Sequence, residues 1–255
     1  MKGLKDKVIV VAGGGSGIGA VTAARLGSEG ATVVVGDISG TGAEKTAAAI
    51  QAAGGRALPV TFDLSVEESC ADLISSAVSE FGGIDGLFNV GADLRNEVFG
   101  RDTDIVDVPV EVWQRTLDVN LTGYFFTCRY AIPRFLERGG GSIVNTMTGL
   151  ALSGDPTRVS YGVSKAGLLA MTKHIASRWG KQGIRANLVA PGFVLTELAL
   201  AQVPREEQEA IASALRSPRH GRPEDIAAMV TFLLSGEGEW INGQLHLVNG
   251  GVGLG

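Results

Sequence analysis

Along the whole chain, short runs of β-branched and apolar residues alternate with longer segments of helical periodicity, and this alternation limits the fold more than any other feature. Strand-like runs fall at 8–12, 31–36, 57–62, 84–89, 142–146, 184–190 and 244–248, and helical patterns near 17–29, 41–53, 66–81, 111–137, 159–181 and 223–235. Parallel strands need a long crossover between them, so a βαβα rhythm predicts a parallel sheet with helices on both faces. The run at 8–12 is apolar at every position, as a strand covered on both sides must be. The expected class is α/β, with a doubly wound parallel sheet of about seven strands.

At 255 residues, 45% of them hydrophobic, the chain has the length and apolar content of one such domain, expected to span 1–255. No internal repeat or linker-like stretch divides it. Three segments break the rhythm: a polar connection at 92–110, a helical pattern at 193–217, and a glycine-rich tail at 250–255. The first two are expected to wall a substrate pocket, with 193–217 as its lid. A net charge of −5 offers no basic field for nucleic acid and no polybasic membrane patch. Cys70 and Cys128 are too few for a disulfide framework, and neither they nor His174, His220 and His246 have metal-ligand spacing. The apolar run at 8–12 is too short for a signal core or a membrane span, so the expected address is the cytoplasm.

Between the first strand and the first helix stands Ala12-Gly13-Gly14-Gly15-Ser16-Gly17-Ile18-Gly19. Glycines here let the backbone turn tightly and approach a pyrophosphate, whose charge is met by the helix N-terminus. Alone, such a run suits a plain flexible turn equally well. Its context argues for a dinucleotide: Asp37 ends the second strand 18 residues after Gly19, where a carboxylate accepts both ribose hydroxyls of an adenosine. The same charge repels a 2′-phosphate, and no Lys or Arg at Ser16 or Ile38 offsets it. NAD is therefore expected over NADP, although Asp37 also suits a turn or helix cap. Asp63, Asn89, Thr146–Thr148 and Pro191-Gly192 fall at later strand ends, the rim on which ligands bind in doubly wound (Rossmann-type) sheets.

Tyr161 and Lys165 stand four residues apart near the start of a helix, on one face of it. An ammonium beside a phenol favours the phenolate, which would tune Tyr161 toward acid–base work. A bare Tyr-x-x-x-Lys is more often a surface pair. Together with the glycine turn, Asp37, Asp63, Leu117-Asp118-Val119-Asn120-Leu121-Thr122-Gly123 and Pro191-Gly192-Phe193-Val194-Leu195-Thr196, however, it resembles the short-chain dehydrogenase/reductase family in order and spacing. The similarity continues through Arg222-Pro223-Glu224-Asp225-Ile226-Ala227, Phe232-Leu233-Leu234-Ser235, Asn242-Gly243-Gln244 and Val248-Asn249-Gly250-Gly251, so it runs from about residue 4 to 252.

The resemblance implies an NAD(H)-dependent oxidoreductase that interconverts a secondary alcohol and a ketone; the alternative is an NAD-binding sensor or partner of the same fold that has lost its chemistry. Tyr161 would exchange the hydroxyl proton, Lys165 would bind the nicotinamide ribose, and Asn120 would hold a water of a proton relay. NAD would lie along Gly13, Ser16, Gly17, Ile18, Gly19, Asp37, Ile38, Asp63, Leu64, Asn89, Val90 and Gly91, with Tyr161, Lys165, Pro191, Gly192, Val194 and Thr196 around the nicotinamide. Relatives pair the counterparts of helices 111–137 and 161–181, so Tyr124, Phe125, Phe126, Leu168 and Leu169 imply a homotetramer, with a dimer next.

Three positions depart from the family pattern. Thr148 stands where the catalytic serine is usual, thirteen residues before Tyr161; Ala12 replaces a threonine; and Asn89-Val90-Gly91-Ala92 replaces Asn-Asn-Ala-Gly. Ala12 and Val90 are read as paired changes at a strand junction. Leu150, Leu152, Leu195 and Leu198 point to a partly apolar substrate pocket, and Arg158 is a candidate contact for an anionic substrate group, though a solvated surface role suits it better. The Asp37 reading makes the first prediction. NAD(H) is expected to exceed NADP(H) strongly in kcat/KM, and Asp37→Ala to narrow the gap; a native preference for NADP(H) in steady-state kinetics would refute it.

Overall fold

The computed structural model describes residues 1–252. The strands are β1 (Val8–Ala12), β2 (Thr32–Asp37), β3 (Arg56–Thr61), β4 (Gly86–Asn89), β5 (Gly141–Thr146), β6 (Ile184–Pro191) and β7 (Leu245–Val248). They form one parallel sheet in the order β3-β2-β1-β4-β5-β6-β7. The chain's direction across the sheet reverses between β1 and β4, which opens a crevice at their carboxyl ends. Strand 84–89 is shorter than expected: Ile84 is buried in the core, and Asp85 instead accepts the Val8 N–H at 2.9 Å, tying the start of β1.

Helices cover both faces: α1 (Gly17–Ser28), α2 (Gly40–Ala52), α3 (Glu67–Phe81), α4 (Val110–Leu117), α5 (Gly123–Glu137), α6 (Leu150–Ser153), α7 (Val159–Trp179), α8 (Glu197–Gln202), α9 (Arg205–Ala214) and α10 (Pro223–Leu234). Two apolar cores result, and β1 shows why its every side chain is apolar. Val8, Val10 and Ala12 pack into one core, Ile9 and Val11 into the other. Local signals end the helices where the pattern runs out. Ser39 caps α2 by accepting the Gly42 N–H at 3.1 Å, and Gly82 ends α3 in the left-handed conformation at φ 77°.

The helix expected over 111–137 is not continuous. A π-helical turn, Asp118–Thr122, joins α4 to α5 and buries Asn120 completely. The segment at 92–110 is irregular apart from a 3-10 turn at Phe99–Arg101, and 193–217 carries α8 and α9. The short helix α6 was not legible as an element, since four residues carry no period. Among the described residues no helix is long and apolar enough to cross a membrane.

Candidate active site

Two adjoining cavities lie along the carboxyl ends of the strands. One, of about 590 Å³, sits at the β1/β4 reversal and is lined by Gly13, Ser16, Gly17, Ile18, Gly19, Asp37, Ile38, Asp63, Leu64, Val90, Gly91 and Thr196. The other, of about 710 Å³, is lined by Thr148, Tyr161, Lys165, Pro191, Gly192 and Val194. Ile18, Val90, Ala92, Leu94, Thr196 and Leu198 border both, so the two form one continuous trough.

The first cavity suits a dinucleotide. The Gly13 and Gly14 N–H groups both donate to Gly36 O, at 2.8 and 2.9 Å, which folds the turn back on β2. A Cβ at Gly13, where φ is +104°, would stand 2.4 Å from Gly91 N, and one at Gly19 would stand 1.9 Å from Gly13 O. No other residue fits this turn. Ser16 precedes α1 without capping it, so the first N–H groups of the helix face the cavity. Asp37 Oδ2 accepts the Gly15 N–H at 2.8 Å and Oδ1 accepts Ser39 N–H at 2.9 Å; Ser39, not Asp37, caps α2. Each carboxylate oxygen keeps a lone pair for a ribose hydroxyl. Ile38, 63% exposed beside it, offers an apolar wall.

Ala12 O accepts both the Val90 and Gly91 N–H groups at 2.9 Å. Backbone, rather than a side-chain hydroxyl at position 12, therefore holds the turn after β4. Asn89, expected against the cofactor, lines neither cavity. It is fully buried one layer below, in a chain where Thr127 Oγ1 donates to Asn89 Oδ1 (2.8 Å), Asn89 Nδ2 to Asn145 Oδ1 (2.9 Å), and Asn145 Nδ2 to Thr172 Oγ1 (3.0 Å). That chain links α5, β4, β5 and α7 beneath the rim. Asn120 also lines neither cavity; its Oδ1 accepts the Asp93 N–H at 3.1 Å, while its Nδ2 is buried with no protein partner. Asp93 accepts from Arg95 and Arg115, and Arg115 donates on to Ser65 at 2.7 Å. Burial alone would raise the Asp93 pKa, but those two guanidiniums outweigh it and lower the pKa.

The second cavity is apolar around a polar end. Leu150, Leu152 and Leu198 line it, as expected, with Phe99, Phe193, Val203, Ile211 and Leu247; Leu195 does not. Thr148 is 8% exposed. Its Oγ1 accepts the Leu150 N–H at 3.3 Å, so the hydroxyl proton stays available to a group in the cavity. Arg158 borders the cavity, but its guanidinium lies 4.9 Å over the Phe99 ring and 3.6 Å from Asp155, engaged at the wall.

Lys165 is buried, and its ammonium does not meet the Tyr161 phenol as the spacing implied. Nζ donates to Thr146 O at 3.0 Å and to Tyr124 Oη at 3.3 Å, and stands 5.8 Å from the Tyr161 ring centre. Burial lowers the Lys165 pKa to about 7. Burial pushes the Tyr161 phenol up to about 12, against a lowering pull from Arg158. Tyr161 is thus a neutral phenol near pH 7, a proton donor rather than a phenolate. Tyr124, whose hydroxyl also donates to Gly91 O at 3.0 Å, is a further residue that the sequence pattern placed wrongly. It is fully buried, as is Leu168, so neither is open to a partner chain, whereas Phe125 is 45% exposed. The helical spacing of Tyr124 with Cys128, Ala131 and Phe135, which puts it on the buried face of α5, was the available signal.

From residue 12 to 253 the chain matches the family model described as enoyl-(acyl carrier protein) reductase. It is 40% identical to a probable short-chain type dehydrogenase/reductase of Bradyrhizobium diazoefficiens, over 97% of this chain and 88% of that one. It is 36% identical to the 7α-hydroxysteroid dehydrogenase of Bacteroides fragilis, over 99% and 96%. A solved 7α-hydroxysteroid dehydrogenase, complexed with NADH and 7-oxo glycochenodeoxycholic acid, superposes with a TM-score of 0.90 at 30% identity, over 98% of this chain and 95% of that one. The chain belongs to the short-chain dehydrogenase/reductase family.

The buried lysine makes the second prediction. Its pKa falls on folding from 10.5 to about 7, so between those values the folded chain binds fewer protons than the unfolded one. Stability therefore rises with pH across that window, and the cost of burying the charge is full below it. Lys165→Met removes this dependence. The melting temperature of the variant minus that of the wild type is expected to be most favourable at pH 6 and to fall by ~2–4 °C or more by pH 9. A difference independent of pH in thermal melts would show that Lys165 is not buried as a charge.

Proposed function

We propose that the protein is an NAD(H)-dependent oxidoreductase interconverting a secondary alcohol and a ketone, with Tyr161 as acid–base and Thr148 as hydroxyl donor. The observation that carries this is the shared trough: a glycine cradle with Asp37 opens directly into an apolar cavity whose polar end is Thr148, Tyr161 and Lys165. Bound NAD(H) would supply or accept the hydride at its nicotinamide. In the reductive direction Tyr161 gives its proton to the carbonyl oxygen, and Thr148 stabilises the charge that builds there. Oxidation needs the phenolate of Tyr161 to receive the proton that leaves the hydroxyl, a form that a bound cationic nicotinamide would favour. Lys165 would hold the nicotinamide ribose, and Asn120, with its unpaired Nδ2, would hold a water of the proton path. Gly13, Ser16, Gly17, Ile18, Gly19, Asp37, Asp63, Leu64, Val90 and Gly91 carry the adenosine and pyrophosphate, and Pro191, Gly192, Val194 and Thr196 the nicotinamide.

Residues 1–255 act as one domain on this reading, with 193–217 as a lid: Gln202 of α8 donates to Leu94 O at 3.1 Å across the trough. The working address is the cytoplasm, which suits two buried free cysteines. The assembly is a homotetramer, supported by Phe125 and Val163 exposed on α5 and α7 and by Trp240, 99% exposed near β7. Light scattering at micromolar concentration is expected to give four chains; a monomer rejects the assembly.

The chemistry is tested by turnover of NADH with a panel of linear ketones, cyclohexanone and a 7-oxosteroid. Tyr161→Phe is expected to abolish turnover and leave NADH binding intact. Thr148→Ser is expected to keep or raise kcat, and Thr148→Ala to lower it by ~10²-fold, the scale for one lost oxyanion donor. Unchanged kcat in Thr148→Ala, with hydride transfer rate-limiting, removes Thr148 from the catalytic set. Tight NADH binding without turnover of any ketone or alcohol supports the non-catalytic alternative instead.

A further inference from the structure

The helix that carries Tyr161 does not cap itself. A helix leaves its first four N–H groups without partners, and Tyr161 is the fourth such residue of α7: the first bond inside the helix runs from Gly162 N–H to Arg158 O, at 2.9 Å. Arg158, in the cap position, has a left-handed backbone (φ 57°, ψ 43°) and no side-chain capping bond. All four orphan donors are instead met by two residues of the irregular 92–110 segment. Arg158 N–H donates to Asp102 O at 3.1 Å and Val159 N–H to Thr103 O at 3.2 Å. Ser160 N–H and Ser160 Oγ donate to Asp102 Oδ1 at 3.0 and 2.8 Å, and Tyr161 N–H donates to Asp102 Oδ2 at 2.8 Å.

Asp102 is only 4% exposed, and its carboxylate belongs wholly to this cap. Three residues earlier, the Phe99 ring stands edge-on to Tyr161 with centroids 5.3 Å apart, and the Arg158 guanidinium covers its face. The first turn is where helices fray, so a tyrosine placed there keeps its position only as well as its cap holds. We propose that Asp102 is a positioning residue for the reaction: its buried carboxylate fixes the first turn of α7, and with it the Tyr161 hydroxyl, against the reacting oxygen. The proposal rests on the assignment of Tyr161 as acid–base. It gives the 92–110 segment a task in the chemistry beyond walling the cavity.

The experiment compares Asp102→Ala, Asp102→Asn, Ser160→Ala and Tyr161→Phe in the full chain. Asn keeps the volume of Asp102 but loses one acceptor, so it serves where Asp102→Ala does not fold. Rates on the best ketone of the panel are expressed per NADH-binding site, which removes any loss of folded protein. Asp102→Ala is expected to lower kcat by about 10- to 100-fold, the scale of a misplaced catalytic group, with Asp102→Asn between it and wild type. NADH affinity is expected within about twofold in the Asp102 and Ser160 variants, since neither residue lines the cofactor cavity. Ser160→Ala, which leaves both backbone bonds to the Asp102 carboxylate, is expected to keep kcat within about twofold. The deuterium isotope effect on kcat with 4-deuterated NADH is expected to rise in the Asp102 variants, and amide exchange in the peptide 158–162 to quicken. Wild-type kcat per site and an unchanged isotope effect in the Asp102 variants, with Tyr161→Phe inactive, overturn the proposal. An active Tyr161→Phe overturns the acid–base assignment and this inference with it.

Discussion

The trough exists because β1 is sealed between two cores. Its side chains alternate between Val8, Val10 and Ala12 on one face and Ile9 and Val11 on the other, and both sets are buried. A strand so placed can only be central, with neighbours on each side, and the neighbours it takes are β2 and β4. Connections that run outward to either side of β1 leave no helix over the ends of β1 and β4, and that gap is the crevice. The glycine turn then has one route into α1, over Gly91 and against Gly36, and a single Cβ would block it.

Around the crevice, buried side-chain networks hold the polar groups. The chain Thr127–Asn89–Asn145–Thr172 ties two helices to two strands, and Asp93 gathers Arg95, Arg115 and the Asn120 turn. Each buried donor left without its partner would cost on the order of 1–3 kcal/mol, so such networks allow one arrangement and penalise the rest. Asp93 at the start of the irregular segment and Asp102 near its middle are parts of this frame. One meets the helix turn of Asn120, the other the first turn of α7. A segment without regular structure is thereby held to both.

Burial also sets the charge states at the reacting end. Lys165 is lowered to about 7 and Tyr161 raised to about 12 by the same loss of water. A neutral phenol is the form that can donate a proton, and a lysine near 7 changes charge readily when an anion or polar ligand approaches. The apolar walls that admit substrate are therefore also what poise these two groups.

Much of this was legible in the residues alone. The fold class, the seven strands, the glycine turn with Asp37 and the Tyr161/Lys165 spacing follow from local rules: side-chain period, turn chemistry and helix geometry act over a few residues and leave their mark in sequence. Where the structure departs, the deciding contact is distant. Asn89 sits at a strand end like a ligand-binding residue, yet turns inward because Thr127 and Asn145, 38 and 56 residues on, supply its partners. Tyr124 reads as a surface aromatic of a long helix until the π turn at Asp118–Thr122 rotates it onto Lys165. Asp102 is one acidic residue among several in a polar loop, and only folding brings it to a helix that starts 57 residues later. Local preference determined the elements and their order; the tertiary structure decided which polar side chains face the trough and which hold it open, because a buried hydrogen bond must find its partner wherever the chain brings one.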